Sequence, residues 1–202
     1  DLKPPSFKPH PWAAMIAALG RPIPAEPLAA AAPAAFYYVR FKNIAHLIQL
    51  RERLDAGLAP ALAGMGEGAD YDLASRYEAE LGLRQGPMTK LLGPTVLDDL
   101  AVVGSDPYLR EGSDQTFVFR VRARPAFEAA LAGTLAAFGA AHGGLKSVTI
   151  DHQGTPITVT RSSDGVVRRH RTTVGGFDVV SNSLTAIKSV IDAVAGRAPR
   201  LA

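Results

Sequence analysis

Gly175-Gly176-Phe177-Asp178-Val179-Val180-Ser181-Asn182-Ser183-Leu184-Thr185-Ala186-Ile187-Lys188 contains the plan of this chain in one short stretch. Two glycines turn the backbone, and a run of apolar and β-branched residues makes a strand. Ser183 then stands where a side-chain oxygen can cap a helix, with Leu184, Ile187, Ile191 and Val194 on its inner face. The outline recurs twice upstream. Phe36-Tyr37-Tyr38-Val39-Arg40-Phe41 runs into Asn43 and then Ile44, Leu47 and Ile48; Phe117-Val118-Phe119-Arg120-Val121 runs into Pro125 and then Phe127 and Leu131. Strands that feed helices with almost no linker describe architecture rather than chemistry. Ser181, Asn182 and Ser183 read as the end of a strand and the start of a helix, not as a catalytic turn.

Between these units the periodicity supplies the remaining elements. Asn43 is placed as an N-cap, and Ile44, Leu47, Ile48 and Leu54 trace a helical stripe that closes near Gly57. After the Gly-broken patch Gly64-Met65-Gly66-Glu67-Gly68, Leu73, Tyr77 and Leu81 predict a helix over Asp70 to Leu81. Pro87 to Leu92 and Thr95 to Leu100 read as short helical turns separated by Gly93-Pro94. From Leu100 the period becomes that of strands. Leu100 to Gly104 and Gln115 to Arg122 flank a long, turn-rich connection, Ser105 to Asp114. In the second of these strands Phe117, Phe119 and Val121 share one side while Val118, Arg120 and Arg122 share the other, so one face should be buried and one polar. A helix from Pro125 carries Phe127, Leu131, Leu135 and Phe138 as far as Gly143-Gly144. A meander follows: Lys146 to Asp151, Thr155 to Arg161, Val166 to Val174 and Phe177 to Ser181, with Asp164-Gly165 as a hairpin signal.

The expected fold is therefore α+β: a twisted, mainly antiparallel sheet with helices packed on one face, and a ferredoxin-like split βαβ unit over Phe36 to Asp151. Two regions are expected. Residues 36–202 form a single α+β domain. Residues 1–35 form an extended arm strapped onto the domain or onto a neighbouring one, because Pro4, Pro5, Pro9, Pro11, Pro22, Pro24, Pro27 and Pro33 lock φ and remove donors. Trp12 to Leu19 fits one short helix within that arm. Phe7, Trp12, Met15 and Ile16 are too apolar for a free tail and are the candidate partner-binding residues.

Composition narrows the classes. The 202 residues are 47% apolar and 20% charged, in the range of an ordered globular domain. There is no cysteine, which excludes disulfides, thiolate metal sites and a cysteine nucleophile. No apolar run reaches the length of a membrane span, so no transmembrane segment is expected. A net charge of +3 permits an acidic partner without requiring one.

Arg120, Arg122 and Arg124 with Arg161, Arg168, Arg169 and Arg171 lie in or beside predicted strands. Outward-facing members on neighbouring strands could join into one positive face, with Arg120, Arg122, Arg169 and Arg171 as its anion-binding candidates. No aromatic residues interleave with them as single-strand nucleic-acid binders require, so a solvated face is the competing reading and nucleic acid is not the expected partner. A hydrolase would have to draw on Ser105, Asp106, Asp114 and His170 around the 104–114 loop, yet Gly104-Ser105-Asp106 lacks the closing glycine of a nucleophile elbow. Acidic turns at Asp98-Asp99, Ser105-Asp106 and Glu111 to Asp114 have no cation-loop spacing, and His10, His46, His142, His152 and His170 have no metal-ligand spacing. No metal and no cofactor is expected, and no catalytic residue is assigned.

Four segments carry a resemblance: Phe36 to Phe41, Val103 to Asp114, the Phe117 strand, and Val179-Val180-Ser181-Asn182-Ser183-Leu184. They resemble large uncharacterised bacterial proteins, envelope-associated, that repeat a strand, a Ser-rich cap and a helix. The similarity spans most of Phe36 to Ala202, and its motifs are turns and caps. It implies that the chain, which begins at Asp1, is one part of a larger polypeptide of extracytoplasmic or envelope placement, with other domains of that polypeptide or a separate protein as partners. The leading functional expectation is a non-catalytic binding or assembly domain. The alternatives are the hydrolase around the 104–114 loop and the anion or nucleic-acid binder on a basic sheet face.

Overall fold

The computed structural model of the chain describes residues 10–20, 26–53, 73–106 and 113–202. Phe7, the helix end expected near Gly57, the Gly64 to Gly68 patch and the central part of the 105–114 connection lie outside the described residues.

The fold is α+β, with a seven-stranded antiparallel sheet and several helices packed against it. In chain order the elements are helix α1 (Trp12–Ala18), a 3-10 turn (Pro27–Ala31), strand β1 (Tyr37–Phe41), helix α2 (44–53), α3 (Leu73–Leu81) and α4 (Pro87–Val96). Strands β2 (Leu97–Gly104) and β3 (Thr116–Val121) then lead to helix α5 (Arg124–Ala141). The meander β4 (Leu145–His152), β5 (Thr155–Ser162), β6 (Arg168–Val174) and β7 (Phe177–Ser181) ends in helix α6 (Leu184–Val194). The expected cap is formed: the Ser183 side chain accepts a hydrogen bond from the backbone N–H of Ala186 at 3.2 Å.

The strand order is β1-β2-β3-β7-β6-β5-β4, and every neighbouring pair is antiparallel. Two meanders, β1 to β3 and β4 to β7, therefore meet along one central seam, where Phe117 pairs with Val180 and Val118 with Val179. This order replaces the split βαβ unit expected over Phe36 to Asp151. That unit needs two parallel strands with a third between them. Here β1 and β2 are direct antiparallel neighbours, because the helices that connect them return the chain to the adjacent position.

Helices also lie on both faces of the sheet rather than on one. Side chains alternate across a strand, and here both alternating sets are apolar. Ala101, Val103, Val118 and Val179 pack with Ile187, Val190 and Ile191 of α6 and with Leu28 and Ala31 of the 3-10 turn. Leu100, Phe117, Phe119 and Val180 pack with Ile44 and Ile48 of α2, Tyr77 and Leu81 of α3, and Phe127 and Leu131 of α5. Arg120 and Arg122 suggested a polar second face, but their strand neighbour Val118 is fully buried. The central strands are thus sandwiched, and continuous apolar runs such as Leu100 to Val103 make sense only there.

Two local readings change. Helix α4 runs unbroken through Gly93-Pro94 and passes directly into β2, where two helical turns were expected. Pro94 lies in the last turn, so its missing N–H removes a single helical bond. Gly93 is where α4 crosses α2: a Cβ there would collide with the Ile44 side chain. The later part of the proline-dense stretch is also built into the core. Leu28 and Ala31 are fully buried, and the backbone of Ala32 and Ala34 bonds the C-terminal segment through Leu201 and Pro199. Helix α1, by contrast, has no buried residue.

Candidate ligand cavity

The face of the sheet that carries Phe117 and Phe119 does not close completely under its helices. It leaves a cavity of about 380 Å³ between β2, β3, α2, α4 and α5, within the range of about 300–1,000 Å³ typical of small-molecule sites. Leu100, Phe117 and Phe119 line it from the sheet, Phe127 and Leu131 from α5, and Ile44 and Leu47 from α2. Leu92, Gly93 and Val96 of α4 complete the wall. The helices are held over the floor by the close α2–α4 crossing at Gly93, while α5 presents only Ala126 and Ala130 at the exposed rim. Small side chains there leave an entrance.

Four polar residues also line the space: Arg84, Gln85, Thr89 and Thr134. Both threonine hydroxyls are committed to backbone, Thr89 donating to the Arg84 carbonyl at 3.2 Å and Thr134 to the Ala130 carbonyl at 2.9 Å. The other two residues are not so committed. The Arg84 guanidinium lies 5.2 Å from the Phe138 ring centroid, a cation–π distance, and forms no ion pair with a described residue. The Gln85 side-chain oxygen is buried without a hydrogen-bond partner.

Phe127 divides this cavity from a cluster of charges. Arg124 and Arg171 place their guanidinium carbons 5.9 and 5.8 Å from its ring centroid. Arg171 donates to Asp178 at 3.0 and 2.7 Å and to Glu128 at 2.7 and 2.5 Å, and Arg124 donates to Asp178 at 2.8 Å. Hydrogen bonding to Arg171, only partly offset by burial, holds the Glu128 carboxyl below its usual range. Arg169, on the same face of β6, is 3% exposed, and its Nη1 has no partner. Burial, reinforced by the charge of Arg171, pulls its pKa down to about 10, so it remains a cation at neutral pH. Three arginines thus face two carboxylates, and the cluster carries one positive charge in excess.

The structure separates the residues that the sequence placed on one basic face. Arg171 is in register with Val180, on the face of α3 and α5. Arg120 alternates with Phe119 and shares the opposite face with Val118, where it bonds Asp99 at 2.8 Å. Arg122 bonds Asp98 at 2.7 Å. Arg120, Arg122, Arg169 and Arg171 therefore do not converge, and all but Arg169 have a carboxylate partner. Period-two counting along each strand was sound. The relative parity of strands far apart in the chain was not available from it.

Of the hydrolase candidates, Ser105 and Asp114 do meet: Ser105 donates to the Asp114 carboxylate from its hydroxyl and, at 3.0 Å, from its backbone N–H. His170 does not join them. It is buried in β6, its Nδ1 3.3 Å from the Ser181 carbonyl and its Nε2 without a partner. Burial, more than the nearby charge of Arg161, lowers its pKa from 6.5. A histidine held neutral in the fold resists a proton that the unfolded chain accepts. The stability it contributes is complete above about pH 6.5 and is lost as the pH falls below that value. Urea midpoints at about pH 7.5 and about pH 5.5 should show this fall, and His170→Gln should reduce it.

Trp12, Met15 and Ile16 are exposed at 63%, 50% and 52%, and no residue of α1 is buried. Among the described residues, no three His, Asp or Glu side chains come together as a metal site. No helix there is long and apolar enough to cross a membrane. Sequence reasoning missed the cavity, although Gly93 and the pair Ala126 and Ala130 were its signals: a glycine at a helix crossing and small residues along one helix edge. No family model, no curated protein and no solved structure matches this chain.

Proposed function

We propose that this chain is a non-catalytic binding module whose ligand is an apolar small molecule taken up between α2, α4, α5 and the sheet. The observation that carries the reading is the 380 Å³ cavity, walled by Leu, Ile, Val and Phe side chains over a rigid seven-stranded floor. Burying the apolar surface of a ligand against these walls provides the driving force, about 25 cal/mol for each Å² removed from water. The test is binding of a neutral hydrophobic dye such as Nile red, followed by its fluorescence. The wild-type chain should bind it, and Ala130→Phe, which places an aromatic ring at the exposed rim, should abolish binding without loss of fold. Undiminished binding by Ala130→Phe would place the dye elsewhere and defeat the reading.

A second observation supports an assembly role beside it. Trp12, Met15, Ile16 and Leu19 give α1 a cluster of exposed apolar side chains. Such a cluster suits docking on a protein partner or on another domain of a larger polypeptide. Trp12 is the only tryptophan, so its emission reports on this helix directly. Emission should be that of a solvated indole in the isolated chain and should shift to the blue on docking. Trp12→Ala should weaken docking and leave dye binding intact.

A further inference from the structure

The walls of the cavity specify an apolar body, but the polar groups at its opening specify more. We infer that the ligand is an amphiphilic carboxylate, a fatty-acid-like molecule whose chain lies against Phe117, Phe119 and Leu131 and whose anionic head is held at the rim by Arg84. This rests on the reading of the cavity as a ligand site and adds the chemistry of the head group. Three observations point to it. Arg84 lines the cavity, is itself exposed, and has no carboxylate partner among the described residues. Its guanidinium carbon lies 5.2 Å from the Phe138 ring centroid, a contact that uses the face of the cation and consumes none of the N–H donors that could bind two carboxylate oxygens. Beside it, half-buried Gln85 has a buried side-chain oxygen with no partner, and rotation of that amide would offer an N–H to the same head group.

The charges behind the cavity favour the same sign of ligand, and the Glu78 carboxylate that accepts from the Gln85 backbone N–H at 3.1 Å is itself paired with Arg51. The cluster behind Phe127 sets Arg124, Arg169 and Arg171 against Asp178 and Glu128, an excess of one positive charge facing an apolar space of low polarity. Across that medium an anion is favoured and a cation opposed. No carboxylate lines the cavity. A neutral amphiphile would gain the apolar contacts alone, and the head of a quaternary ammonium amphiphile of equal length would be repelled by Arg84 at the rim and by the arginine cluster if it entered deeper.

The experiment compares three probes of one chain length, dodecanoate, dodecanol and dodecyltrimethylammonium. Each is titrated calorimetrically below its aggregation concentration into the full chain and into Arg84→Gln and Ala130→Phe. Circular dichroism and urea midpoints check that each variant is folded, and Ala126→Phe replaces Ala130→Phe if that variant is not. Dodecanoate should bind tightest, and Arg84→Gln should weaken it by about tenfold to a hundredfold, the worth of a charge-assisted hydrogen bond. The same change should leave dodecanol unaffected, and the rim variant should bind neither. Equal affinity for dodecanoate and dodecanol, or a preference for dodecanoate that survives Arg84→Gln, would overturn the head-group assignment while leaving the apolar site standing. Failure of all three probes to bind, or undiminished binding to the rim variants, would overturn both.

Discussion

Asp178→Ala should destabilise the domain by about 3–5 kcal/mol, the loss expected when one partner of a buried charge network is removed. Asp178 is fully buried at the centre of the sheet and accepts hydrogen bonds from Arg124, Arg171 and the Thr173 hydroxyl. Its removal leaves Arg171 with Glu128 alone and leaves Arg169, already without a paired carboxylate, in a region of still greater positive charge. The cost arises from stranded cations rather than from missing contacts. Asp178→Asn, which keeps the volume and most acceptor geometry, should therefore reproduce most of the loss. Asp98 provides the contrast: its partner Arg122 is exposed and Asp98 itself only half-buried, and Asp98→Ala should cost no more than about 1 kcal/mol. Urea denaturation of the three variants checks the order, and a loss below about 1 kcal/mol for Asp178→Ala would contradict the account.

Gly175→Ala should cost about 2–4 kcal/mol, and Gly176→Ala about 1 kcal/mol, although both glycines occupy one turn. The backbone requirement is common to them, with φ at +57° and +83°, where a Cβ is unfavourable. The surroundings differ. A Cβ on Gly176 meets open space, whereas one on Gly175 would lie 2.5 Å from Val194 Cγ1 at the end of α6. Val194 packs against the core beneath α6, so its branched side chain has little room to yield. The difference in urea midpoint between the variants isolates the steric part. Equal losses would show that α6 accommodates the methyl group and that the turn conformation alone demands glycine.

Local units were legible because they depend on neighbours in the chain. Ser183 caps α6, the Asp164-Gly165 hairpin forms, and the Phe117 strand leads into the helix of Phe127 and Leu131 as its spacing implied. What could not be read is how distant units share a face. Arg120 looked outward on a single strand, yet alternating Val118 lies beneath α6 because β3 became a central strand. The apolar content of both faces of Leu100 to Val103 was the available sign of a sandwiched sheet. The cavity was hidden for a related reason: it belongs to no single element and is lined jointly by α2, α4, α5 and the sheet, with α4 in close contact with α2 at Gly93. Arg84 is unremarkable in the sequence and becomes distinctive only through what is missing beside it.

The seam between β3 and β7 also dictates an order of events as the chain folds. The β2–β3 pair and the β4 to β7 meander are assembled from strands close in sequence, so their hairpins close at small entropic cost, whereas β1 joins β2 across as long a separation as the seam itself, Tyr37 with Gly104. The seam joins residues as far apart as Thr116 and Ser181, so it zips after the β2–β3 hairpin and the β4 to β7 meander have taken shape. Until then Thr116–Val121 and Phe177–Ser181, strands that end in the best-buried part of the protein, each present a free edge rich in Val and Phe. Refolding at high concentration should therefore lose protein to edge-to-edge association of unfinished molecules, and dilution should recover it. The strands that finally make this domain cohere are also the ones that most need to find each other before they find a neighbour.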